Sequence, residues 1–211
     1  MLCLISPNRA PEFSEEIEDM HRLRHRVFKQ RLEWDVDCHD GLEIDEYDGF
    51  NPTYLLARGN DGAIAGCIRL LPTQGPNMLR DTFPQLLKDG KAPEGPRTWE
   101  CSRFALDVNH ANNGRAISQS TSMLFAGMLE FGLSKGLTDL VVVTDLRIER
   151  ILKRSGWIME RLGEPQAIGN TIAIAGRLNV TWETLARVRK AGGLNGPVLW
   201  IPAVPEMPMA A

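Results

Sequence analysis

The sequence predicts an α/β fold, a three-layer αβα sandwich around one mixed sheet. Two observations carry this. A β-hairpin signal occupies Thr53 to Thr73, and strand-like and helix-like segments alternate after it. Hairpins give antiparallel pairs, β-α-β units give parallel ones, and the connecting helices cover both sheet faces. With 211 residues, 43% apolar and 24% charged, the chain suits a single domain over 1–211 with a full core.

The elements follow in order. Leu2 to Ile5 is a short apolar strand. From Pro11 to about Arg31, Phe13, Ile17, Met20, Leu23 and Val27 recur at three and four, the spacing of an amphipathic helix. Arg24 and Phe28 extend the Met20 row by steps of four and share its face. Positions 33 to 52 are acidic and aperiodic, a long loop of the kind that often carries function. Two apolar runs then flank Asn60-Asp61-Gly62, the hairpin, and Pro72 ends its second strand. MLRDTFPQLL is a short helix interrupted near Pro84, and residues 90 to 97 are a turn-rich loop. TWECSRFALD, 98 to 107, is a strand. Asn112-Asn113-Gly114 breaks the chain before a helix from about Arg115 to Lys135, stopped by Gly136. LTDLVVVT is a buried strand and LRIERILKRSG a helix. A strand near 170 to 176, a helix from Thr181 to Ala191 and a last strand PVLWI complete the chain.

Composition excludes several classes. A net charge of −3 argues against a duplex-binding protein. Cys3, Cys38, Cys67 and Cys101 are scattered, as in a reduced cytosolic protein, and Cys38-His39 lacks the second ligand pair of a metal site. The N-terminus has no basic n-region, and no apolar run approaches the roughly 18 residues of a membrane span. The expectation is a cytoplasmic protein with no metal, nucleic acid or membrane partner.

Four places break the apolar pattern: Arg24 on the inner row of the first helix, Asp45 and Asp48 in EIDEYD, Arg69 in GCIRLLP, and Glu100 with Arg103 in TWECSRFALD. Taken singly, each has a plain structural reading as a snorkelling side chain, a solvated loop or an exposed sheet face. Taken together they form a set of three positive and three negative charges, suited to a zwitterionic ligand. Strand alternation puts Glu100 and Ser102 on one face and Arg103 on the other. If Glu100 and Arg103 share a site, a β-bulge must intervene.

These residues resemble the acyl-homoserine lactone synthases, the autoinducer synthases of bacterial quorum sensing. The resemblance runs through Arg24, Phe28 and Trp34, then Glu43, Asp45 and Asp48 as E-x-D-x-x-D. It continues with Arg69 in G-C-I-R-L-L-P-T and Phe83 in D-T-F-P, and ends with Glu100, Ser102 and Arg103 in W-E-C-S-R-F. It is close over about 24 to 106 and holds only in outline beyond. It implies a fold similar to the Gcn5-type N-acetyltransferases, with the sheet splayed by a bulge. It also implies a reaction that joins S-adenosylmethionine to a fatty acyl group on acyl carrier protein. S-adenosylmethionine is then a substrate, and no cofactor is expected.

The roles implied are specific. Glu100, directly or through water, is the base for the substrate amine. A backbone N–H freed at the bulge could serve the oxyanion. Arg24, Arg69 or Arg103 would hold the methionyl carboxylate. Phe28, Trp34, Phe83 and Ser102 would contact S-adenosylmethionine, although Phe28 and Trp34 also read as core. Leu124, Met128, Val142 and Leu146 are candidates for an acyl slot, with core packing the stronger reading. Thr144 would either bond a 3-oxo group on the acyl chain or cap the helix that follows. Arg147, Arg150, Lys153 and Arg154 form a basic helix face suited to an acidic carrier protein. Two rivals remain: an N-acyltransferase using acyl-coenzyme A, and a non-catalytic S-adenosylmethionine sensor. NNGRAIS lacks the glycine-rich loop that usually cradles coenzyme A pyrophosphate.

Overall fold

The computed structural model describes residues 2–59, 61–107 and 117–200. Strands β1 (Leu2–Ile5), β4 (Thr53–Arg58), β5 (Ile64–Pro72), β6 (Thr98–Leu106), β7 (Asp139–Asp145), β8 (Met159–Arg161), β10 (Thr171–Asn179) and β11 (Leu199–Trp200) form one sheet in the order β11-β1-β4-β5-β6-β7-β10-β8. A further strand, β9 (Gln166–Ile168), pairs with β10. The β1–β11 and β6–β7 pairs are parallel and the others antiparallel, so the sheet is mixed.

Helices cover both faces. On one lie α3 (Gln119–Ser134), α4 (Leu146–Arg154) and α5 (Trp182–Gly192). Phe125, Leu129, Leu152, Leu185 and Val188 pack there on Leu55, Ile68, Leu140 and Ile174. On the other lies α1 (Ser14–Arg24), with Met20, Leu23 and Val27 against Leu56, Cys67 and Ala105. The partner sets alternate along each strand, as the period of two requires. Gly127 lets α3 settle on β1, since a Cβ there would lie 2.4 Å from Leu2 Cδ1. Short helix α2 (Met78–Asp81) caps the α1 side beyond the end of the hairpin.

Several boundaries differ from the sequence reading. The first helix starts at Ser14, after a 3-10 stretch from Pro7 to Phe13 that contains Pro11. It also loses α geometry after Arg24, and His25–Arg31 winds as a π-helix whose end is marked by Leu32 N–H bonding Val27 O at 3.0 Å. The 33–52 loop holds a small hairpin, β2 (Cys38–His39) with β3 (Leu42–Glu43), and a 3-10 turn over Glu46–Gly49. Helix α3 begins at Gln119 with Ser118 as its cap; the expected start near Arg115 lies outside the described residues, as does Ile201 of the last strand. Strands β8 and β9 are too short for periodicity to reveal. Among the described residues no helix is long and apolar enough to cross a membrane.

Candidate active site

A β-bulge interrupts β6 between Glu100 and Ala105. Cys67 pairs with Ala105 and Arg69 with Ser102, so the single residue Ile68 faces both Arg103 and Phe104. Arg103 takes φ +53°, in the left-handed region that costs an L residue roughly 1–2 kcal/mol. The extra residue resets the alternation. Arg103 reaches the α1 face with Arg69, and Phe104 turns to the opposite face against Phe125, ring centroids 5.6 Å apart. The bulge also ends a pairing. The β6–β7 ladder stops at Cys101 opposite Val142, while β6 runs on to Leu106 and β7 to Asp145. The sheet opens between them.

The bulge brings three arginines and three carboxylates together. Arg24 donates Nε to Glu43 and both Nη atoms to Asp48, at 2.8 and 2.9 Å. Arg69 donates Nη1 and Nη2 to Asp45 and Nη1 to Asp48, and its Nε to Ser102 Oγ at 3.1 Å. Arg103 donates Nε to Glu43 at 3.0 Å and pairs Nη2 with Asp45 at 2.6 Å. Asp45 and Asp48 also cap the 3-10 turn reciprocally, which fixes both carboxylates. His21, buried one turn before Arg24, bonds the backbone carbonyl of Glu43 through Nδ1 at 2.8 Å.

The set is charge-balanced, but one member differs from the sequence reading. Glu43 sits where Glu100 was expected and bridges Arg24 and Arg103 with its side chain fully buried. Its signal was available, because it opens the E-x-D-x-x-D motif. Polar spacing alone did not show that β3 turns it inward. Glu100 instead lies against the start of α2. Its Oε1 accepts from Met78 N–H at 3.1 Å and its Oε2 from Leu79 N–H at 2.7 Å. Burial pushes its pKa up; the Leu79 and Met78 N–H groups, the Arg69 charge and the Ser102 hydroxyl only partly oppose this.

Around this cluster, Phe28 and Trp34 stack with centroids 5.2 Å apart and planes 4° from parallel. Arg103 Cζ lies 5.6 Å over the Phe28 ring. Phe83 is half-buried beside Tyr47, Leu71 and Met78. The Ser102 hydroxyl is engaged by Arg69. Met78 Sδ accepts from Arg69 Nη2 at 3.2 Å and Arg103 Nη1 at 3.3 Å, weak bonds to a soft acceptor.

Leu124, Met128 and Val142 are buried together in the core under α3, with Leu146 packed against them. Thr144 lies half-buried two residues past Val142, beyond the last β6–β7 pair. It is not the cap of α4: Asp145 is, accepting Ile148 N–H at 2.7 Å. The carboxylate at the next position has the shorter reach to that donor. Arg147, Arg150, Lys153 and Arg154 are all exposed on α4. Glu149 is taken by Arg161 at 2.7 Å. A groove of about 400 Å³ beside them is lined by Glu149, Arg150, Lys153, Ile158, Met159 and Arg161. Among the described residues no group of three or more His, Cys, Asp or Glu side chains is placed to hold a metal ion.

Comparison with known proteins places the chain in a family. The family model "Autoinducer synthase" matches residues 10–188. The chain is 46% identical to an acyl-homoserine-lactone synthase of Agrobacterium fabrum, over 95% of this chain and 96% of that protein. It is 36% identical to an acyl-homoserine-lactone synthase of Pseudomonas aeruginosa, over 86% and 91%. Among solved structures, a CoA-dependent acyl-homoserine lactone synthase with SAM and isopentyl-CoA superposes with a TM-score of 0.84 at 26% identity, covering 95% of this chain and 92% of that one. The AHL synthase LasI superposes at 0.79 with 33% identity, covering 90% and 94%. A Lactobacillus plantarum protein described as an N-acetyltransferase shares the fold alone, at a TM-score of 0.56 and 13% identity, covering 85% and 99%. The chain therefore belongs to the autoinducer synthase family, the acyl-homoserine-lactone synthases, transferases with an N-acetyltransferase-like fold that make quorum-sensing signals.

Proposed function

We propose that the enzyme transfers a fatty acyl group from acyl carrier protein to the amine of S-adenosylmethionine, then closes the lactone and releases methylthioadenosine. Arg103 carries this reading. The side chains of Arg24 and Arg69 are fully buried, whereas that of Arg103 is 12% exposed. Its Nη1 rests on a thioether that a substrate carboxylate would outcompete as acceptor. Arg24 and Arg69 then act by holding Asp45, Asp48 and Glu43 around it. Phe28 and Trp34 offer a stacked apolar wall to the adenosine and sulfonium.

Two bonds form and two break. The unprotonated amine attacks the thioester carbonyl, the C–S bond breaks, and the carrier leaves as its thiolate, which then takes up the proton that the amine gives up. The amine proton passes to Glu100, directly or through water. A raised pKa favours proton uptake by that carboxylate, and an α-amine of pKa about 8, lowered by the neighbouring sulfonium, needs only modest help. The bulge, where the β5–β6 register shifts, is the proposed source of a backbone N–H donor to the oxyanion. The methionyl carboxylate then attacks its own γ-carbon and expels methylthioadenosine. Holding that carboxylate in a ring-closing pose can lower the barrier by about 7 kcal/mol. The core cluster of Leu124, Met128, Val142 and Leu146 is the proposed bed of the acyl chain, and Thr144 its reader of a 3-oxo group.

The exposed cationic face of α4 supports a protein donor, because acyl carrier proteins are acidic. Likeness to CoA-dependent synthases supports acyl-coenzyme A as a second reading. Steady-state kinetics with one acyl chain on either donor separate them. The carrier-bound donor should give the higher kcat/KM. Arg150→Glu with Lys153→Glu should raise KM for the carrier about ten-fold and leave that for S-adenosylmethionine unchanged. Equal or better turnover of acyl-coenzyme A, unaffected by charge reversal, would favour the second reading.

A further inference from the structure

We propose that the Asn170-Thr171 turn is a latch that positions Trp34 at the S-adenosylmethionine site. Neither residue belongs to the charged cluster, and neither stands out in the sequence. Thr171 Oγ1 accepts the Trp34 indole N–H at 2.9 Å. Asn170 donates Nδ2 to Leu32 O at 2.8 Å, and Thr171 Oγ1 donates to Asn170 Oδ1 at 3.2 Å. One turn thus holds both the backbone ahead of Trp34 and its side chain.

The geometry gives these contacts a purpose beyond local stability. Trp34 follows the π-helix in a segment without regular structure, next to Glu33 at φ +54°. Its backbone N–H bonds Phe28 O at 2.9 Å, and its ring lies flat on Phe28, over which Arg103 sits. A chain of contact therefore runs from Thr171 through Trp34 and Phe28 to Arg103. It also spans the split in the sheet. Trp34 packs with the β1–β6 side, whereas Thr171 opens β10, which pairs with β7 and sets Ile174 opposite Thr144. The latch closes one substrate's site from the strand beside the other's. The bond to the indole is only part-buried and that to Leu32 is exposed, so their loss should leave the core intact.

The proposal rests on the reading that Trp34 contacts S-adenosylmethionine, and the test separates the two. Thr171→Val keeps the shape and removes the acceptor. It should raise KM for S-adenosylmethionine about five-fold, with kcat and the donor KM nearly unchanged, and Thr171→Ser should restore it. Trp34→Phe keeps a stacking ring without the N–H, and in the Thr171→Val background it should add little. A normal KM in Thr171→Val, with Trp34→Ala strongly raised, would overturn the latch alone. A normal KM in Trp34→Ala would overturn the underlying reading, and the latch with it.

Discussion

Asp48 ties the two fully buried arginines of the site together. It accepts from both Nη atoms of Arg24, from Arg69, from the Tyr54 hydroxyl and from the Asp45 backbone N–H. Burial alone would raise its pKa. Hydrogen bonds and charge from Arg24, with the charge of Arg69, more than offset this and hold the carboxyl well below its ordinary range. Because the folded value lies below the unfolded one near 3.9, the stabilisation is complete above about pH 4 and is lost as pH falls further. Asp48→Asn should therefore flatten acid unfolding below about pH 4. It should also cost about 3–5 kcal/mol at neutral pH, since two buried guanidinium groups lose a counter-charge. Urea titrations across a pH series would show both effects; an unchanged acid slope would contradict the assignment.

At the scale of single elements, β6 was the most legible and the first helix the least. Two charges three apart in an apolar strand imply a bulge if both serve one site; the bulge is there, although Glu100 lies against α2 and not in the cluster. The π-helix over His25–Arg31 leaves no mark in an apolar spacing compatible with α geometry throughout. The burial of Glu43, though not its motif, is illegible for a related reason: it depends on the β2–β3 hairpin, whose strands are two residues each. The position of Thr144 on β7 carries a prediction of its own. With Asp145 taking the cap of α4, the Thr144 hydroxyl has no bonded partner among the described residues. Thr144→Val should leave α4 intact and shift products from 3-oxo toward unsubstituted acyl chains by about ten-fold, the worth of one hydrogen bond. Unchanged lactone ratios by mass spectrometry would remove that role.

Across the whole molecule, the order of hairpin first and β-α-β later was enough to place helices on both faces of a mixed sheet. It did not reveal where the sheet parts. That depends on Arg103 at φ +53°, which ends the β6–β7 ladder at Cys101 and sends its guanidinium to the charged side. One backbone irregularity thus opens the cleft and arms it. The strain of the left-handed residue is offset by the Glu43 and Asp45 ion pairs. Arg103→Lys meets the same backbone strain and keeps the charge, so it isolates the planar fork. Calorimetric binding of S-adenosylmethionine and its decarboxylated analogue tests this most directly. The wild type should prefer the carboxylated ligand by about ten-fold or more, and Arg103→Lys should bring that ratio close to one. An undiminished ratio in Arg103→Lys would mean that the carboxylate is held elsewhere.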